Sequence, residues 1–242
     1  VVETIKEHRD SFCGVTFSLD GATPETHDDL RGEGSFRHVM RAVTLCVFSE
    51  LPFTLNMVVT EKNRHQIHEM VKLAERLGSS GLRFGHLTTT SKIGDKGLDL
   101  STQARREVEA QIWRLRESAR YPVDMAPGYY SEEFFFPCGP LELEEYNVDY
   151  HGNLTLCCQL SGLVGMNSGG SVIVNLHQVS LKKAIRNFHA LVEKYLDDKR
   201  RKFDSGQLGE LDHFPCLYCI DYMGVSEKKL AKAEKAISFI QS

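Results

Sequence analysis

The sequence predicts an α/β protein in which parallel βα units precede a smaller, cysteine-rich α+β domain. Between residues 15 and 119, a strand followed by an amphipathic helix occurs three times. This spacing is typical of right-handed βαβ units in a parallel sheet. Beyond about residue 120, the repeat gives way to hairpin-like strands and closely spaced cysteines. The predicted domains are therefore residues 1–120 and residues 121–242.

Composition excludes several classes of protein. The 242 residues are 41% hydrophobic, which is enough to form sizeable cores. The net charge of −4 gives no electrostatic reason to expect nucleic acid or an anionic membrane as a partner. No apolar run approaches the ~18 residues of a membrane span. Seven cysteines, an odd number in a long chain, argue against a secreted disulfide framework. Reduced thiols predict a cytoplasmic protein.

The first strand is predicted from Val15 to Asp20, where apolar and polar residues alternate. Ser18 and Asp20 share its polar face. Gly21 ends the strand, and a polar loop is predicted from there to Gly34.

Two further strands are predicted over residues 53–60 and 82–87, each following an apolar helical stripe. Ser35, Asn63 and Ser101 precede the three helical stripes. Because their side-chain oxygens can accept hydrogen bonds from free N–H groups, they are predicted to cap these helices.

The second domain is predicted to begin with a β-hairpin that turns at residues 151–153 and ends at Cys157. A Gly/Ser-rich loop follows over residues 162–171. Ser180 is predicted to cap a long helix, and a last helix is predicted from Ser226.

Four of the seven cysteines have a spacing suited to metal binding. Cys138 is followed by 13 residues, Gly152, four more residues and Cys157, and a Cys-x-x-Cys pair comes at Cys216 and Cys219. A hairpin and a short tight loop are predicted to bring the two half-sites together. Thiolates are suited to iron–sulfur clusters and to zinc.

The residues alone leave alternatives open. Four unliganded thiols, a structural zinc site and a redox-active Cys-x-x-Cys pair all use the same residues. The redox pair requires a helix N-terminus, which Pro215 and the predicted loop do not favour. Cys157 is the predicted ligand rather than Cys158, which would point to the opposite strand face. Cys13 and Cys46 are predicted to belong to the core.

Two stretches carry a resemblance to a known family. Phe17-Ser-Leu-Asp-Gly21, with His27-Asp28, Leu30-Arg31-Gly32 and Gly34-Ser35-Phe36, resembles the fourth barrel strand and the following loop of radical S-adenosylmethionine enzymes with a C-terminal SPASM or twitch domain. The four-cysteine pattern resembles their auxiliary-cluster domain. Since the cysteines for a second auxiliary cluster are missing, the single-cluster twitch form is the better match.

The resemblance implies that residues 1–120 form the C-terminal half of a partial TIM barrel, with S-adenosylmethionine across the carboxyl ends of its strands. It implies that Ser18, Asp20 and Asn56 contact this cofactor. Arg31 is a further candidate contact, which could instead pair with a carboxylate or be solvated. Ser18 and Asp20 could instead only end a strand, and Asn56 could have a structural partner. It also implies that Cys138, Cys157, Cys216 and Cys219 hold an auxiliary 4Fe-4S cluster.

One element of the family pattern is absent from this chain. The Cys-x3-Cys-x2-Cys motif, whose cluster cleaves S-adenosylmethionine, does not occur here, and the resemblance places it upstream of Val1. Only three strands are predicted before the second domain, where the partial barrel has six. The expectation is a fragment, inactive alone, whose missing N-terminal part carries a second 4Fe-4S cluster.

For the whole protein, the resemblance implies reductive cleavage of S-adenosylmethionine to a 5′-deoxyadenosyl radical, which abstracts a hydrogen atom from a substrate. It favours a peptide or protein substrate, and flavodoxin or ferredoxin as electron donor. Two other readings remain: a catalytically inactive peptide-binding module of the same fold, and a zinc-stabilised α/β protein. The sequence assigns no catalytic acid or base.

Overall fold

The computed structural model describes residues 2–87, 97–136, 138–161 and 172–224. They form two compact units, the first made of residues 2–87 and 97–126 and the second of the remaining described residues. The first unit extends beyond the predicted limit at residue 120, because a short strand after that residue joins its sheet.

The first unit contains a four-stranded, fully parallel sheet in the order β1-β2-β3-β4. The strands are β1 (Val15–Ser18), β2 (Phe53–Val59), β3 (Leu82–His86) and β4 (Val123–Met125). The predicted α/β class with a parallel sheet is confirmed. The count of three strands was wrong, because β4 has only three residues and is too short to show an alternating pattern.

Within the described residues, five α-helices accompany this sheet: α1 (Val2–Glu7), α2 (Pro24–Arg31), α3 (Ser35–Phe48), α4 (Ile67–Leu77) and α5 (Thr102–Ser118). Short 3-10 turns lie at Arg9–Ser11 and Arg64–Gln66. Helix α2 occupies part of the segment that was predicted to be a polar loop. The loop prediction was therefore wrong in part. It begins at Pro24, whose fixed φ suits the first turn of a helix.

Apolar side chains cover one face of the sheet. β2 alternates buried and half-buried residues along its whole length. Sequential strand order with right-handed crossovers places the connecting helices on one face. The buried side chains of strands and helices include Leu55, Met57, Phe84, Val43, Ile67, Met70, Val108 and Ile112. The opposite face carries the polar residues of the same strands.

Of the predicted caps in this unit, one is confirmed and two are wrong. Ser101 caps α5, since its side chain accepts a hydrogen bond from the N–H of Ala104 at 3.1 Å. Ser35 is the first residue of α3 rather than its cap. Asn63 makes no capping bond, and a 3-10 turn separates it from α4.

The second unit contains a three-stranded antiparallel sheet in the order β5-β6-β7. The strands are β5 (Asn147–Val148), β6 (Asn153–Thr155) and β7 (Val172–Asn175). The predicted hairpin is confirmed as β5 and β6, but β6 ends before Cys157, and β7 was not predicted.

The helices of this unit are α6 (Cys158–Ser161), α7 (Leu181–Asp204) and α8 (Pro215–Tyr222), with a 3-10 turn at Glu210–His213. Ser180 caps α7 by accepting a hydrogen bond from the N–H of Lys183, as predicted. Helix α7 packs on β7. The core of the unit includes Leu141, Leu154, Leu160, Phe188, Tyr195 and Tyr218.

Two predictions lie outside the described residues: the loop over residues 162–171 and the helix from Ser226. Within the described part of the chain, none of the helices has both the length and the hydropathy needed to cross a membrane.

Candidate functional sites

A row of polar side chains crosses the open face of the first sheet. Ser18 of β1 is in register with Asn56 of β2, Asn56 with Arg83 of β3, and Arg83 with Asp124 of β4. Residues in register on neighbouring strands of a sheet point to the same face. Four adjacent strands therefore present a hydroxyl, an amide, a guanidinium and a carboxylate side by side.

Asn56, Arg83 and Asp124 of this row line a groove of about 340 Å³, a volume within the range of small-molecule sites. Its lining includes Thr16, Thr54, Asn56, Ser80, Arg83 and Asp124. The hydroxyls of Thr16 and Thr54 hydrogen-bond to each other at 2.9 Å. The sequence analysis identified neither Arg83 nor Asp124. The alternation of polar and apolar residues was visible in β1, but β4 was not predicted and the register that aligns the strands cannot be derived from local sequence.

Asp20 lies just beyond β1 and is buried, with 5% of its surface exposed. One carboxylate oxygen accepts the N–H of Val58 at 2.8 Å, and the other accepts Nε of Arg31 at 2.5 Å. The backbone oxygen of Asp20 accepts the side-chain amide of Asn63 at 2.9 Å. The structure thus brings Asp20 and Arg31 together and commits both carboxylate oxygens to protein partners.

His27 completes this network from α2. Its Nδ1 accepts the backbone N–H of Asp20 at 2.9 Å, so Nδ1 carries no proton. Burial lowers the pKa of His27, against the opposing effect of Asp20 and Asp28. Both observations describe a neutral ring, and the sequence analysis gave it no role beyond the family pattern.

Ser18 and Asn56 have a different environment from Asp20. Ser18 is exposed and Asn56 is half-buried, and both side chains stand on the open face. They are free to meet a bound molecule, whereas Asp20 and Arg31 fix the shape of the strand ends beside it.

The second unit gathers the four predicted cysteine ligands. Cys138, Cys157, Cys216 and Cys219 are all partly buried, and Cys138, Cys157 and Cys219 pack against the core of the unit. By contrast, Cys158 is exposed. The predicted ligand Cys157 is therefore less exposed than its neighbour Cys158.

The thiols influence one another's pKa. Burial raises the pKa of Cys216 well above 9.0, and the thiols of Cys219, Cys157, Cys138 and the exposed Cys158 raise it further. Burial likewise raises the pKa of Cys219 to about 12, with contributions from Cys157 and Cys138. Residues that are up to 81 positions apart in the chain thus share one small region.

Neighbouring backbone N–H groups oppose the effect of burial on the pKa of two of the thiols. Burial raises the pKa of Cys138, while the N–H of Leu141 lowers it. Burial also raises the pKa of Cys157, and the N–H groups of Leu160 and Gln159 lower it. Such hydrogen bonds stabilise the thiolate, the form that binds metals.

The Cys-x-x-Cys pair lies on helix α8, not in a tight loop, so that prediction was wrong. Pro215 occupies the first turn of α8, which is a favourable position for proline. Cys216 and Cys219 are therefore three residues apart on one helix and share a face. The argument made from Pro215 against a helix N-terminus fails for the same reason.

Three large side chains from α7 and α8 surround the thiols. The thiol of Cys219 donates to the hydroxyl of Tyr195 at 3.1 Å. Lys199 is buried, its ammonium lies 5.2 Å from the centre of the Tyr218 ring, and burial lowers its pKa. The sequence analysis predicted only the apolar stripe of this helix.

As a ligand type, thiolates are suited to an iron–sulfur cluster or to zinc. In the described part of the chain, no three or more Cys, His, Asp or Glu side chains are arranged so that they could hold a metal ion. The ligand set Cys138, Cys157, Cys216 and Cys219 therefore stays a prediction. Of the other cysteines, Cys46 is buried as predicted, whereas Cys13 is exposed and was wrongly assigned to the core.

No protein-family model matches the chain. It is 33% identical over 110 residues to mycofactocin maturase MftC of Mycobacterium tuberculosis, covering 45% of this chain and 28% of that protein. It is 25% identical over 119 residues to the AdoMet-dependent heme synthase of Methanosarcina barkeri, covering 48% of this chain and 34% of that protein.

The fold is similar to that of SuiB from Streptococcus suis, solved with S-adenosylmethionine bound. The TM-score is 0.50 with 13% identity, over 69% of this chain and 41% of the SuiB chain. The chain spans about a third of the length of the curated relatives it matches. These relatives confirm the resemblance to radical S-adenosylmethionine enzymes that the sequence indicates.

Proposed function

We propose that this chain is part of a radical S-adenosylmethionine enzyme that modifies a peptide or protein, and that its second unit holds an auxiliary 4Fe-4S cluster. The relatives support the enzyme class, and one of them is named a maturase. The thiol chemistry of the protein is that of a reducing compartment, so we expect it to act in the cytoplasm.

In the first unit, Ser18 and Asn56 would hold S-adenosylmethionine at the carboxyl ends of β1 and β2, where ligands of parallel α/β folds bind. Asp20, Arg31 and Asn63 would act through the backbone, by holding these strand ends in place. When bound, the cofactor and a second 4Fe-4S cluster supply the radical chemistry, with electrons from flavodoxin or ferredoxin.

In the second unit, Cys138, Cys157, Cys216 and Cys219 would hold the auxiliary cluster. The observation that supports this assignment is the partial burial of all four predicted thiols, with Cys138, Cys157 and Cys219 packed against the core of the unit while Cys158 is exposed. Thiolates are the usual ligands of iron–sulfur clusters.

The cluster is tested by metal analysis of the chain purified and reconstituted without oxygen. We expect about four irons and about four acid-labile sulfides per chain, as a 4Fe-4S cluster requires. Replacing Cys138, Cys157, Cys216 or Cys219 by serine should remove most of the iron and sulfide, because each change deletes one ligand.

Cys158→Ser is the matched control, since Cys158 is adjacent to a predicted ligand but exposed. It should keep full iron and sulfide. A content of one zinc per chain without sulfide would show that the four cysteines form a structural zinc site rather than a cluster site. Retention of the cluster in Cys157→Ser together with its loss in Cys158→Ser would reverse the ligand assignment.

The cofactor site is tested by S-adenosylmethionine binding to the protein translated from the complete gene. Asn56→Ala should weaken binding roughly fivefold, because a hydrogen bond contributes about 1 kcal/mol. Ser118→Ala is the control, an exposed residue at the end of α5 that does not line the groove. Equal effects of both changes would contradict a site at the carboxyl end. An upstream Cys-x3-Cys-x2-Cys motif in that gene is also required by the proposal.

A further inference from the structure

Arg83 is flanked by two glycines on the open face of the first sheet. Gly81 comes directly before β3 and Gly85 lies within it. Because side chains alternate along a strand, Gly81, Arg83 and Gly85 share one face. Glycine on a strand leaves the backbone bare and often marks a place where another molecule approaches closely. The Arg83 side chain therefore stands beside two positions that leave room on the surface of the sheet.

The Arg83 guanidinium is exposed and, within the described part of the chain, makes no hydrogen bond and no ion pair of 4.0 Å or less. Its neighbour in register, Asp124 of β4, pairs instead with Arg116 of α5 at 3.6 Å. That ion pair also reduces the repulsion between Asp124 and an anion in the groove. A guanidinium is always charged, and its planar fork matches a carboxylate through two parallel hydrogen bonds. The groove thus offers a free cation with the geometry that a carboxylate requires.

The groove lies towards the amino ends of the strands. Thr54 is the second residue of β2, and Ser80, Gly81 and Pro122 precede β3 and β4; all four line the groove. The proposed function places S-adenosylmethionine at the opposite, carboxyl ends of β1 and β2. The groove therefore provides about 340 Å³ of space beside the proposed cofactor site, on the same face of the sheet.

We propose that this groove binds a carboxylate of the peptide or protein substrate and that the Arg83 guanidinium pairs with it. The inference rests on the proposed function, which supplies a substrate of this class. A peptide carries carboxylates at its C-terminus and on acidic side chains, and the fork of Arg83 accommodates either. A neutral amide in the same place has only one oxygen to accept hydrogen bonds and carries no charge. Arg83 therefore selects substrates with a carboxylate and fixes their position along the sheet.

The experiment is a saturation-transfer NMR titration of small probes with the protein translated from the complete gene. N-acetylglycylglycine carries a C-terminal carboxylate, the α-amide of N-acetylglutamate carries a side-chain carboxylate, and N-acetylglycylglycinamide carries no carboxylate. At least one carboxylate probe should bind about tenfold more tightly than the uncharged probe, because hydrogen bonds between charged partners are the strong ones. Tighter binding of the first probe assigns a C-terminus, and tighter binding of the second assigns an acidic side chain. Equal affinity of all the probes would overturn the inference.

Arg83→Gln removes the charge at an exposed position and should lower the affinity for the carboxylate probe about tenfold, to that of the uncharged probe. Arg83→Lys keeps the charge but not the planar fork, and should lose less. Arg76→Gln is the matched control. Arg76 is exposed in the last turn of α4 and does not line the groove, so its loss changes the net charge equally without touching the site. Equal losses in Arg83→Gln and Arg76→Gln would contradict a specific contact.

Gly81→Ala tests the place of binding rather than the charge. A Cβ at residue 81 would lie 3.6 Å from Cγ2 of Thr54 and 3.6 Å from the backbone oxygen of Pro122, which are ordinary contact distances. The fold therefore accepts the methyl group, while the groove becomes narrower beside Arg83. We expect weaker binding of the carboxylate probe and an unchanged thermal unfolding curve. Unchanged probe affinity in Gly81→Ala would show that the carboxylate binds outside the groove.

Addition of S-adenosylmethionine distinguishes failure of this inference from failure of the proposed function. The carboxylate probe should keep its affinity when S-adenosylmethionine is saturating, and Arg83→Gln should bind S-adenosylmethionine as the unchanged protein does. Competition between the two would assign the guanidinium to the carboxylate of the cofactor and overturn the inference. If S-adenosylmethionine does not bind while the carboxylate probe still depends on Arg83, the proposed enzyme function fails and the carboxylate site stands.

Discussion

Asn63 connects the ends of the first two strands through four hydrogen bonds and is fully buried. Its amide nitrogen donates to the backbone oxygens of Asp20 and Val58, at 2.9 and 2.8 Å. Its oxygen accepts the backbone N–H of Thr60 at 2.7 Å and the Thr60 hydroxyl at 3.1 Å. One side chain thus satisfies the polar groups left where β1 and β2 end.

Asn63→Ala should destabilise the first unit strongly. The change leaves at least three buried backbone groups without partners, and each unsatisfied group costs about 1–3 kcal/mol. We expect a loss of about 3 kcal/mol in the free energy of unfolding, measured by urea denaturation with a probe in this unit.

Lys62→Ala provides the comparison at the adjacent position. Lys62 pairs with Asp29 at 2.7 Å, but both side chains are largely exposed, so its loss should cost about 0.5 kcal/mol or less. Equal losses in the two variants would show that the Asn63 network contributes nothing specific.

At this scale, residue types were predictable and their partners were not. Asn63 precedes a helix and is a residue type that often caps helices. Its side-chain hydrogen bonds instead go to the ends of β1 and β2. Pairing with a carboxylate was one of the alternatives for Arg31, but Asp20 as its partner was not predicted. Local sequence carries no information about a partner 43 residues away, such as Asp20 for Asn63.

Helix α3 is capped by a residue of another helix. The Asp28 carboxylate, on α2, accepts the backbone N–H groups of Phe36 at 2.7 Å and Gly34 at 2.8 Å, and the Ser35 hydroxyl at 3.1 Å. These hydrogen bonds, first that from Phe36, lower the pKa of Asp28 below its usual value of 3.8. The ionised form is therefore the one that holds the two helices together.

The pH dependence of stability should reveal this cap. Because the folded pKa lies below the unfolded pKa, ionised Asp28 stabilises the protein above the unfolded value, and this contribution disappears as pH falls through the folded pKa. The difference in unfolding free energy between the unchanged protein and Asp28→Asn should be constant from pH 7 to about pH 5. It should shrink as the pH falls below 3.8.

Urea denaturation at a series of pH values measures this difference. Asp29→Asn serves as the control, because the neighbouring carboxylate of Asp29 lies in an exposed ion pair. A difference that is independent of pH would exclude ionisation of Asp28 as the source of the stability.

Elements with a long apolar stripe were predicted, whereas several of the short ones were not. Helices α3, α5 and α7 have 14, 17 and 24 residues and were all identified. Strands β4 and β7 have three and four residues, and their identity depends on the strands beside them. Pro215 was taken as a mark of a loop, although it also begins helices, and this ambiguity hid α8.

At the scale of the molecule, all four predicted cluster ligands belong to the second unit. Metal binding contributes folding energy to the structure that carries the ligands. Loading the cluster should therefore slow amide hydrogen exchange in peptides from residues 138–161 and 210–224. Peptides from β2 and β3, which carry no ligand, provide the internal reference.

Mass spectrometry of the loaded and metal-free chain measures this exchange. Equal exchange of the second unit in both states would mean that the four cysteines do not hold a metal that supports this unit. Cys158→Ser should behave as the unchanged protein does, since the exposed thiol is not a predicted ligand.

The division into a parallel α/β part and a cysteine-rich part was predictable, because each part has its own pattern of strands, helices and cysteines. The convergence of the cysteines was predictable only as a spacing. The buried Lys199 and Tyr218 beside them were not, because an isolated lysine or tyrosine on a helix has the same appearance in sequence whether it is exposed or buried.

The polar row on the first sheet has an evolutionary consequence. Ser18, Arg83 and Asp124 are exposed, while the residues that alternate with them fill the core. Exchanges within the row should thus alter what the groove recognises without weakening the scaffold. A combinatorial library restricted to Arg83 and Asp124 would explore new specificities at little risk of misfolding. In evolution, the exposed residues of the row are therefore expected to change independently, one strand at a time.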